Sequence, residues 1–462
     1  MNTRELKRSV LFIAAFSAFI TPFMGAAINL ALPSIGYELE ASAKQLNWVV
    51  TAYLLGTAVF MLPFGRLGDI LGRKKVFMSG LILFTLTTSC VLFTGTIHSF
   101  LIFRVLQGIS SAMIFGTSMA IITSVFPPGE RGRAMGISIT ATYAGLSSGP
   151  FLGGVLTEYF GWRSIFAFII PISAAAAYLT YRKIRIEWAE AKGESLDITG
   201  SILLGGSLVL SILGFSRIPG TSGFILISAG LIMILAFFIV EWKARFPLLD
   251  MTLLTTNRVF SFSSLAAMIH YAATSGIGFF LSLYLQYLKG LDARAAGFII
   301  MTQPVMMALF SVPAGKLSDK VNPGHIASAG IGLTSLGIFA LTFIQESTSL
   351  LYIICILAFN GLGYALFSSP NSNAIMSSVE KKHLGVASGM VGTMRVIGQT
   401  TSLGIAMILI SIYMGNHTIK PENYGQLLET IRMGLSIFAI ICIPAIFASL
   451  ARNKKLNKKN NE

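Results

Sequence analysis

The chain has 462 residues, of which 54% are hydrophobic and only 11% are charged. Because a soluble domain carries about 25% charged residues, the 34 basic and 19 acidic side chains are too few to cover the cores of a soluble protein of this length. The composition excludes a soluble enzyme, a coiled coil and a disordered scaffold, and it predicts an all-α polytopic membrane protein.

Fourteen apolar runs are long enough to form helices that cross a bilayer, which takes ~20 residues. The first run exceeds the ~7–15 apolar residues of a cleavable leader, so we expect it to be retained as a span. In chain order, the predicted spans cover residues 10–33, 46–65, 76–95, 99–126, 134–157, 164–181, 198–216, 222–241, 259–287, 295–315, 324–344, 348–370, 385–413 and 428–450.

The net charge of +15 acquires its meaning from the positions of the basic residues. With fourteen spans both termini lie on one side, and that side holds 25 of the 34 Lys and Arg residues, while the opposite side holds seven. The last two, Arg104 and Arg395, lie inside spans. Alternate loops are basic, which predicts cytoplasmic termini, N-in and C-in, in the cell membrane. The positive charge therefore indicates the orientation of the chain in the membrane and does not indicate a nucleic-acid binding surface.

An internal repeat divides the predicted spans. The string GRLGD at 65–69 resembles GKLSD at 315–319, and the segment 131–136 resembles 380–385, with offsets of 250 and 249 residues. Two matching offsets indicate two similar halves of six spans, with two extra spans between them. We therefore predict an N-terminal half at 1–185, a linker with two extra helices at 186–255, and a C-terminal half with a basic tail at 256–462.

The loop after the second span reads GRLGDILGRKK at 65–75. Its glycines allow a tight turn between helix ends, and Asp69 can pair with Arg73 and cap a helix. Such a cluster can act as a latch that holds one conformation and breaks in another; a plain basic loop is the alternative. The predicted conformational gate consists of Gly65, Gly68, Asp69, Gly72, Arg73 and, in the second half, Asp319.

Two further strings carry residues of interest. The fourth span contains LIFRVLQG, in which Arg104 is a buried arginine and hence a functional hypothesis, with a structural pairing as the alternative. The fifth span contains GLSSGPFLGG, whose small residues allow close helix contact and whose proline bends the helix. The residues expected to pack there are Gly145, Gly149, Pro150, Gly153 and Gly154.

These three motifs resemble those of the major facilitator superfamily. Further strings, NLALP at 29–33, WVVTAYLL at 48–55, GWRSIF at 161–166 and the stretch 370–399, resemble its fourteen-span drug:proton antiporter branch. The resemblance covers nearly the whole chain. It implies a major facilitator fold and multidrug-type efflux of small amphipathic compounds, often cationic, driven by proton entry.

One departure from that branch concerns the coupling site. The branch carries an acidic residue five positions before the asparagine of NLALP, and here Met24 occupies that position. All 19 acidic residues fall in loops or at span ends, whereas proton coupling needs a protonatable group in the cavity. His270 in the ninth span is the remaining candidate, with Arg104 as a second coupling residue. A neutral hydrogen-bonded His270, proton sensing by Asp69, and coupling to another ion or to none stay open.

The substrate cavity is expected between spans of both halves. Polar and adaptable side chains that face inward suit a promiscuous pocket, although each can instead bond or pack against a neighbouring helix. Arg104 and Arg395 would favour anionic or zwitterionic solutes. The predicted cavity residues are Met24, Asn29, Gln107, Tyr143, Gln303, Asn360, Arg395 and Gln399, with Tyr53 and Met113 as further candidates.

Other functions lack a signature in the sequence. The three cysteines are far apart in apolar runs, and no metal-ligand, Walker or catalytic pattern occurs, so we predict no metal, no cofactor and no enzymatic activity. A sequon at 416–418 reads as accidental. We expect a monomer in the lipid bilayer that moves a small molecule, with protons as the coupling ion. A carrier of one endogenous metabolite without proton antiport, and a non-transporting receptor, are the alternatives.

Overall fold

The computed structural model describes residues 3–218, 220–415 and 421–452. Within those ranges the chain is helical and contains no β-strand. The first six helices are α1 (Thr3–Glu38), α2 (Ala43–Leu71), α3 (Arg73–Val91), α4 (Ile97–Val125), α5 (Arg131–Phe160) and α6 (Arg163–Lys183). Two helices follow, α7 (Ile198–Phe215) and α8 (Thr221–Lys243). The remaining helices are α9 (Met251–Thr256), α10 (Arg258–Thr274), α11 (Ile277–Leu283), a π-helical turn (Tyr284–Leu288), α12 (Ala293–Ile300), α13 (Thr302–Ser318), α14 (Pro323–Leu341), α15 (Leu350–Ser377), α16 (Leu384–Met414) and α17 (Tyr424–Ala451). The predicted sequon at 416–418 lies outside the described residues.

The protein is a multi-pass membrane protein. Thirteen helical segments of the described ranges are long and apolar enough to cross a bilayer. The predicted fifth span is the fourteenth: it forms α5, a helix of 30 residues whose many Gly, Ser and Thr residues lower its hydropathy. At about 1.5 Å per residue such a helix is longer than the ~30 Å hydrocarbon core. Helix α1 also extends well beyond its predicted span at both ends.

Two predicted spans are interrupted. The ninth is divided into α10, α11 and the π-helical turn, and the tenth into α12 and α13. At the first break the Gly276 N–H donates to Ser402 Oγ at 2.8 Å, and a Cβ on Gly276 would lie 2.6 Å from the Phe438 ring. The interruption therefore results from a tertiary contact with α16 and α17, which hydropathy does not report.

Each half packs its long helices in the same pattern. In the N-terminal half α1 packs on α5, α2 on α4 and α3 on α6; in the C-terminal half α10 packs on α16, α13 on α15 and α14 on both α15 and α17. Glycines permit the closest crossings: a Cβ on Gly56 would lie 2.7 Å from the Val105 carbonyl oxygen. Close backbone approach replaces hydrophobic burial as a source of helix association in lipid.

The inserted helices α7 and α8 form a hairpin on the outside of the two halves. Gly205 of α7 contacts Val59 of α2, and Phe215 of α7 contacts Gly404 of α16. At the other end of the hairpin the buried Glu241 carboxylate accepts the Leu249 N–H at 3.0 Å, which fixes the connection to α9. The insert thus bridges both halves on one side.

Ion pairs identify one end of the bundle. Lys7 of α1 pairs with Glu130 before α5 at 2.6 Å, and Lys183 at the end of α6 pairs with Glu5 at 3.3 Å. These pairs bring the start of α1, the α4–α5 connection and the end of α6 together, as the alternating topology predicts. We call this end of the bundle, at which α1 begins, the basic end.

The contact between α2 and α4 generates a stability prediction. A Cβ on Gly108 would meet the Tyr53 carbonyl oxygen and would lie 3.0 Å from both Gly56 Cα and Thr57 N. Because backbone atoms shift little to accommodate an added methyl group, we expect Gly108→Ala to destabilise the protein by about 1–3 kcal/mol. Thermal unfolding of the purified protein in detergent measures this.

Gly332→Ala is the matched control, because Gly332 also lies within a helix and no atom stands within 4 Å of its added Cβ. Alanine there gains helix propensity of about 1 kcal/mol. Equal unfolding temperatures for the two variants would contradict the close α2–α4 contact.

Candidate transport site and conformational gate

Asp69 joins the two halves at the basic end. Its buried carboxylate, near the end of α2, accepts the Gly385 N–H at 2.8 Å on Oδ1 and the Val386 N–H at 3.1 Å on Oδ2. Arg73 holds the same carboxylate through Nε at 2.9 Å and Nη2 at 2.7 Å. Because α16 begins at Leu384, the aspartate caps a helix of the opposite half, where free N–H groups and the helix dipole favour negative charge.

Asp319 repeats this arrangement from the other half. Located at the end of α13, it accepts the Gly132 N–H at 2.7 Å and the Arg133 N–H at 2.8 Å, the second and third residues of α5. The two contacts therefore occupy equivalent positions in the sequence repeat. In each contact, an aspartate of one half caps a helix of the other half. We call them the Asp69 clamp and the Asp319 clamp.

Glycines bring the backbones close enough for both clamps. Gly65 of α2 touches the Gly385 backbone, and Gly315 of α13 touches the Gly132 backbone, so a Cβ at any of these four positions would collide with a carbonyl oxygen. Farther along α5, a Cβ on Gly136 would lie 2.6 Å from the Ser311 carbonyl oxygen. The halves thus contact each other directly at the basic end.

The segment between α6 and α7 wraps around the Asp69 clamp. The Arg73 N–H donates to the Trp188 carbonyl at 2.9 Å, and the Ala191 N–H donates to the Asp69 carbonyl at 3.0 Å. Glu187 caps α3 by accepting the Lys74 N–H at 2.9 Å, beside Gly72, whose φ of 120° suits glycine. Sequence reasoning interpreted this segment only as a linker, since nothing local identifies its partner.

Arg104 lies inside the N-terminal half. It is fully buried, and its Nε donates to the Val49 carbonyl at 3.0 Å while Nη1 donates to Gln107 Oε1 at 2.9 Å. Its guanidinium also stacks 4.4 Å from the centre of the Tyr53 ring. Gln107 in turn donates to Thr88 at 3.1 Å. Arg104 and Gln107 therefore join α2, α3 and α4, and the structure does not bring them to the predicted cavity.

The GLSSGPFLGG motif lies on the face of α5 that contacts α1. Gly145 packs on the Phe19 carbonyl, Gly149 on Ala26 and Gly153 on Ala27, at the four-residue spacing of one helix face. A Cβ on Gly154 would lie 3.4 Å from Leu30, and Pro150 lies within the helix. The motif thus provides close packing between two helices of the N-terminal half.

A second group of side chains lies where α5, α10, α15 and α16 converge. The Arg395 guanidinium lies 5.4 Å from the centre of the Tyr271 ring. Tyr143 donates to Ser368 Oγ at 3.2 Å, and Thr274 donates to the Tyr364 hydroxyl at 3.0 Å. We call this group the central cluster, and it comprises Arg395, Tyr143, Tyr271, Tyr364, His270 and Phe367.

The central cluster lies at one depth in the bundle. Arg395 is 11 residues from the basic-end terminus of α16, and the three tyrosines are 12 or 13 residues from those of α5, α10 and α15. At about 1.5 Å per residue this is roughly 16 to 20 Å from the clamps. Since the hydrocarbon core is ~30 Å thick, the cluster lies near mid-membrane and contains residues of both halves.

His270 is enclosed by aromatic rings within this cluster. It is fully buried, its ring centre lies 4.2 Å from that of Phe367 and 4.7 Å from that of Tyr364, and neither ring nitrogen has a hydrogen-bond partner in the described part of the chain. Sequence reasoning selected Tyr143, His270 and Arg395 but missed the other aromatic members, since aromatic residues are common throughout the spans.

The other predicted cavity residues are dispersed. Met24 is fully buried in the core of the N-terminal half, and Asn360 is fully buried against Gly337. Asn29 is exposed near the far end of α1, while Gln303 and Gln399 are partly exposed. Of the eight predicted cavity residues, the structure brings only Tyr143 and Arg395 into the central cluster. Gln399 lies one helical turn from Arg395 in α16.

Comparison with known proteins is consistent with this geometry. The sequence profile described as Major Facilitator Superfamily matches residues 14–265 and 263–462. A riboflavin transporter, RibZ of Clostridioides difficile, is 30% identical over 84% of this chain and 84% of its own length. The cephamycin export protein CmcT of Amycolatopsis lactamdurans is 29% identical over 96% and 93%. The human organic anion transporter MFSD10 shares the fold, with a TM-score of 0.67, 14% identity, and coverage of 97% and 100%.

The clamps generate a conformational prediction. Replacing either carboxylate, in Asp69→Asn or Asp319→Asn, puts an amide with one acceptor oxygen where two N–H donors converge. Leaving a buried donor unpaired costs about 1–3 kcal/mol, so we expect the basic end to open about tenfold more often. The reporter is a cysteine at Ser311, buried between α13 and α5, introduced after replacing the three native cysteines and labelled with a membrane-permeant maleimide.

Asp292→Asn is the matched control. Asp292 also caps a helix, accepting the Ala295 N–H at 2.7 Å, but it is exposed and bonds only within its own half. Labelling that rises equally in all three variants would show that the clamps do not hold the halves together.

The Arg104 network generates a second prediction. For Arg104→Ala we expect loss of transport at normal membrane levels, because the variant removes the charge that orders Val49, Gln107 and Tyr53. Radiolabel or dye flux in vesicles, normalised to protein content, measures it. Flux equal to that of the unmodified protein would show that Arg104 serves packing alone.

Proposed function

This chain belongs to the Major Facilitator Superfamily and is a transporter, and from that premise we propose that it exports small amphipathic compounds by alternating access coupled to proton entry. The relatives that export antibiotics support this direction of transport. The basic distribution of the loops supports cytoplasmic termini in the cell membrane. A single chain contains both halves and the central cluster, which supports a monomeric unit.

The pair of clamps is the observation that carries the proposal. Both clamps lie at the basic end, each joins the two halves, and each consists of a carboxylate against helix N–H groups that can separate without breaking a covalent bond. Alternating access requires such a reversible contact on one side of a central site. The described conformation is the one in which the basic end is held shut.

Coupling to protons requires a group whose charge changes during the cycle. His270 occupies the depth of the central cluster, and its ring nitrogens face no acceptor here, so a protonated ring would need a different arrangement of the surrounding aromatic residues. Asp69 is the alternative, since protonation would weaken its four hydrogen bonds and release the clamp. Either group would link protonation to the conformational change.

A metabolite carrier without proton antiport is the second candidate function. Two observations favour it: no carboxylate of the described residues lies in the central cluster, and a 30% identical relative is named as a riboflavin transporter. The two functions differ in substrate range and in dependence on a pH gradient.

Transport by the purified protein in liposomes separates these functions. A panel of lipophilic cationic dyes, neutral aromatic compounds, aromatic carboxylates and riboflavin is tested with and without an imposed pH gradient. Stimulation of several unrelated compounds by the gradient supports the exporter. Gradient-independent movement of one compound supports the metabolite carrier, and movement of none contradicts both.

Coupling by His270 has its own prediction. We expect His270→Ala to abolish gradient-driven transport while counterflow without a gradient persists, because the variant removes the titratable group but spares the clamps. The matched control is His325→Ala, an exposed histidine at the start of α14. If transport by His270→Ala still depends fully on the pH gradient, His270 is not the coupling group, and Asp69 becomes the candidate.

A further inference from the structure

Arg395 carries a charge that the described residues leave without a carboxylate partner. Its side chain is partly exposed although it lies at mid-membrane depth in α16. None of the six ion pairs of the described ranges includes it, and its Nε has no hydrogen-bond partner there. Because a charge in the membrane interior is expensive, one without a counter-charge points to a functional partner.

The other buried arginines donate to several protein groups, although Arg104 Nη2 and Arg452 Nε, like Arg395 Nε, have no partner among the described residues. Arg73 pairs with Asp69, and Arg104 donates to a carbonyl and to Gln107. Arg452 at the end of α17 donates to Ser263, Asn371 and the Gly324 carbonyl, each at 2.8 Å. Arg395 differs from them in its exposure: Arg73, Arg104 and Arg452 are buried, whereas the Arg395 side chain is partly exposed.

The surroundings of Arg395 define the shape and polarity of a partner. The phenol groups of Tyr143, Tyr271 and Tyr364 lie near its guanidinium. The Tyr143 and Tyr364 ring centres are 6.4 Å apart at an interplanar angle of 88°. Aromatic walls bind flat rings by stacking and edge contacts. A guanidinium binds carboxylate or phosphate oxygens through paired N–H donors better than an ammonium does.

We propose that Arg395 and the tyrosines of the central cluster form the substrate site, and that this site selects planar aromatic compounds that carry a negative charge. This inference rests on the proposed function and names its substrate class. The anionic group pairs with the guanidinium, and the aromatic ring packs among Tyr143, Tyr271 and Tyr364. Binding neutralises the mid-membrane charge, so the occupied transporter crosses between conformations at a lower electrostatic cost.

Three probes with one ring system and different charges test the proposal: 2-naphthoate, 2-naphthamide and the (2-naphthyl)trimethylammonium ion. Binding to the protein in lipid nanodiscs is measured by calorimetry, and counterflow of each radiolabelled probe is measured in liposomes. We expect the naphthoate to bind at least about tenfold more tightly than the other two. A preference for the cation, or equal affinities, would overturn the proposal.

Two substitutions assign the preference to Arg395. Arg395→Gln should reduce the naphthoate advantage to below about threefold, whereas Arg395→Lys should retain part of it because the charge remains. Arg432→Gln, which removes an exposed arginine bonded to the Thr342 carbonyl at 3.1 Å, is the matched control and should leave the advantage intact. Loss of the advantage in the control, or its persistence in Arg395→Gln, would contradict the assignment.

The outcomes for the two proposals are distinguishable. If cationic dyes move against a gradient but the naphthoate has no advantage, the exporter stands and the anion site fails. If the naphthoate binds with the expected dependence on Arg395 but no compound moves, the site stands and the transport cycle proposed above fails.

Discussion

A carboxylate set against free helix N–H groups is the contact on which this architecture depends. Asp69 and Asp319 each place a negative charge at the start of a helix in the opposite half, where amide donors and the helix dipole converge. In a medium of low polarity such a contact is strong when formed. Yet only a few hydrogen bonds have to be exchanged to break it. The same contact therefore joins the two halves and, in the transport cycle that we propose, allows them to separate.

The two arginines within the spans show how access determines what a charge does. Arg104 is enclosed by a backbone carbonyl, an amide and a phenol ring of its own half, so its charge organises α2 and α4. Arg395 lies where helices of both halves meet and retains exposed surface. A charge enclosed within one half stabilises that half, whereas one at the junction of the halves is the charge that we propose binds a solute.

The fold was largely predictable from local sequence properties. Hydropathy located the spans, because transfer into lipid depends on composition, and the repeat predicted two related halves. Hydropathy did not predict the breaks near Gly276 and Met301. The break at Gly276 depends on a contact with Ser402 of a distant helix. The sequence singled out Asp69, but its partners Gly385 and Val386 lie more than 300 residues away and carry no charge. Every residue except proline has a backbone N–H group, so the sequence does not indicate which of these groups will bond to Asp69.

The sequence by itself determined the membrane class and the helical spans, and it predicted the two-half plan and singled out Asp69 and Asp319. All of these follow from composition, period and repetition along the chain. Only the tertiary structure decided which helices meet across the halves, that Arg104 is enclosed and Arg395 is accessible, and that aromatic side chains of α5, α10 and α15 share one depth. Those properties depend on helix rotation and neighbours, and a hydropathy pattern specifies that a residue is apolar without specifying what lies against it.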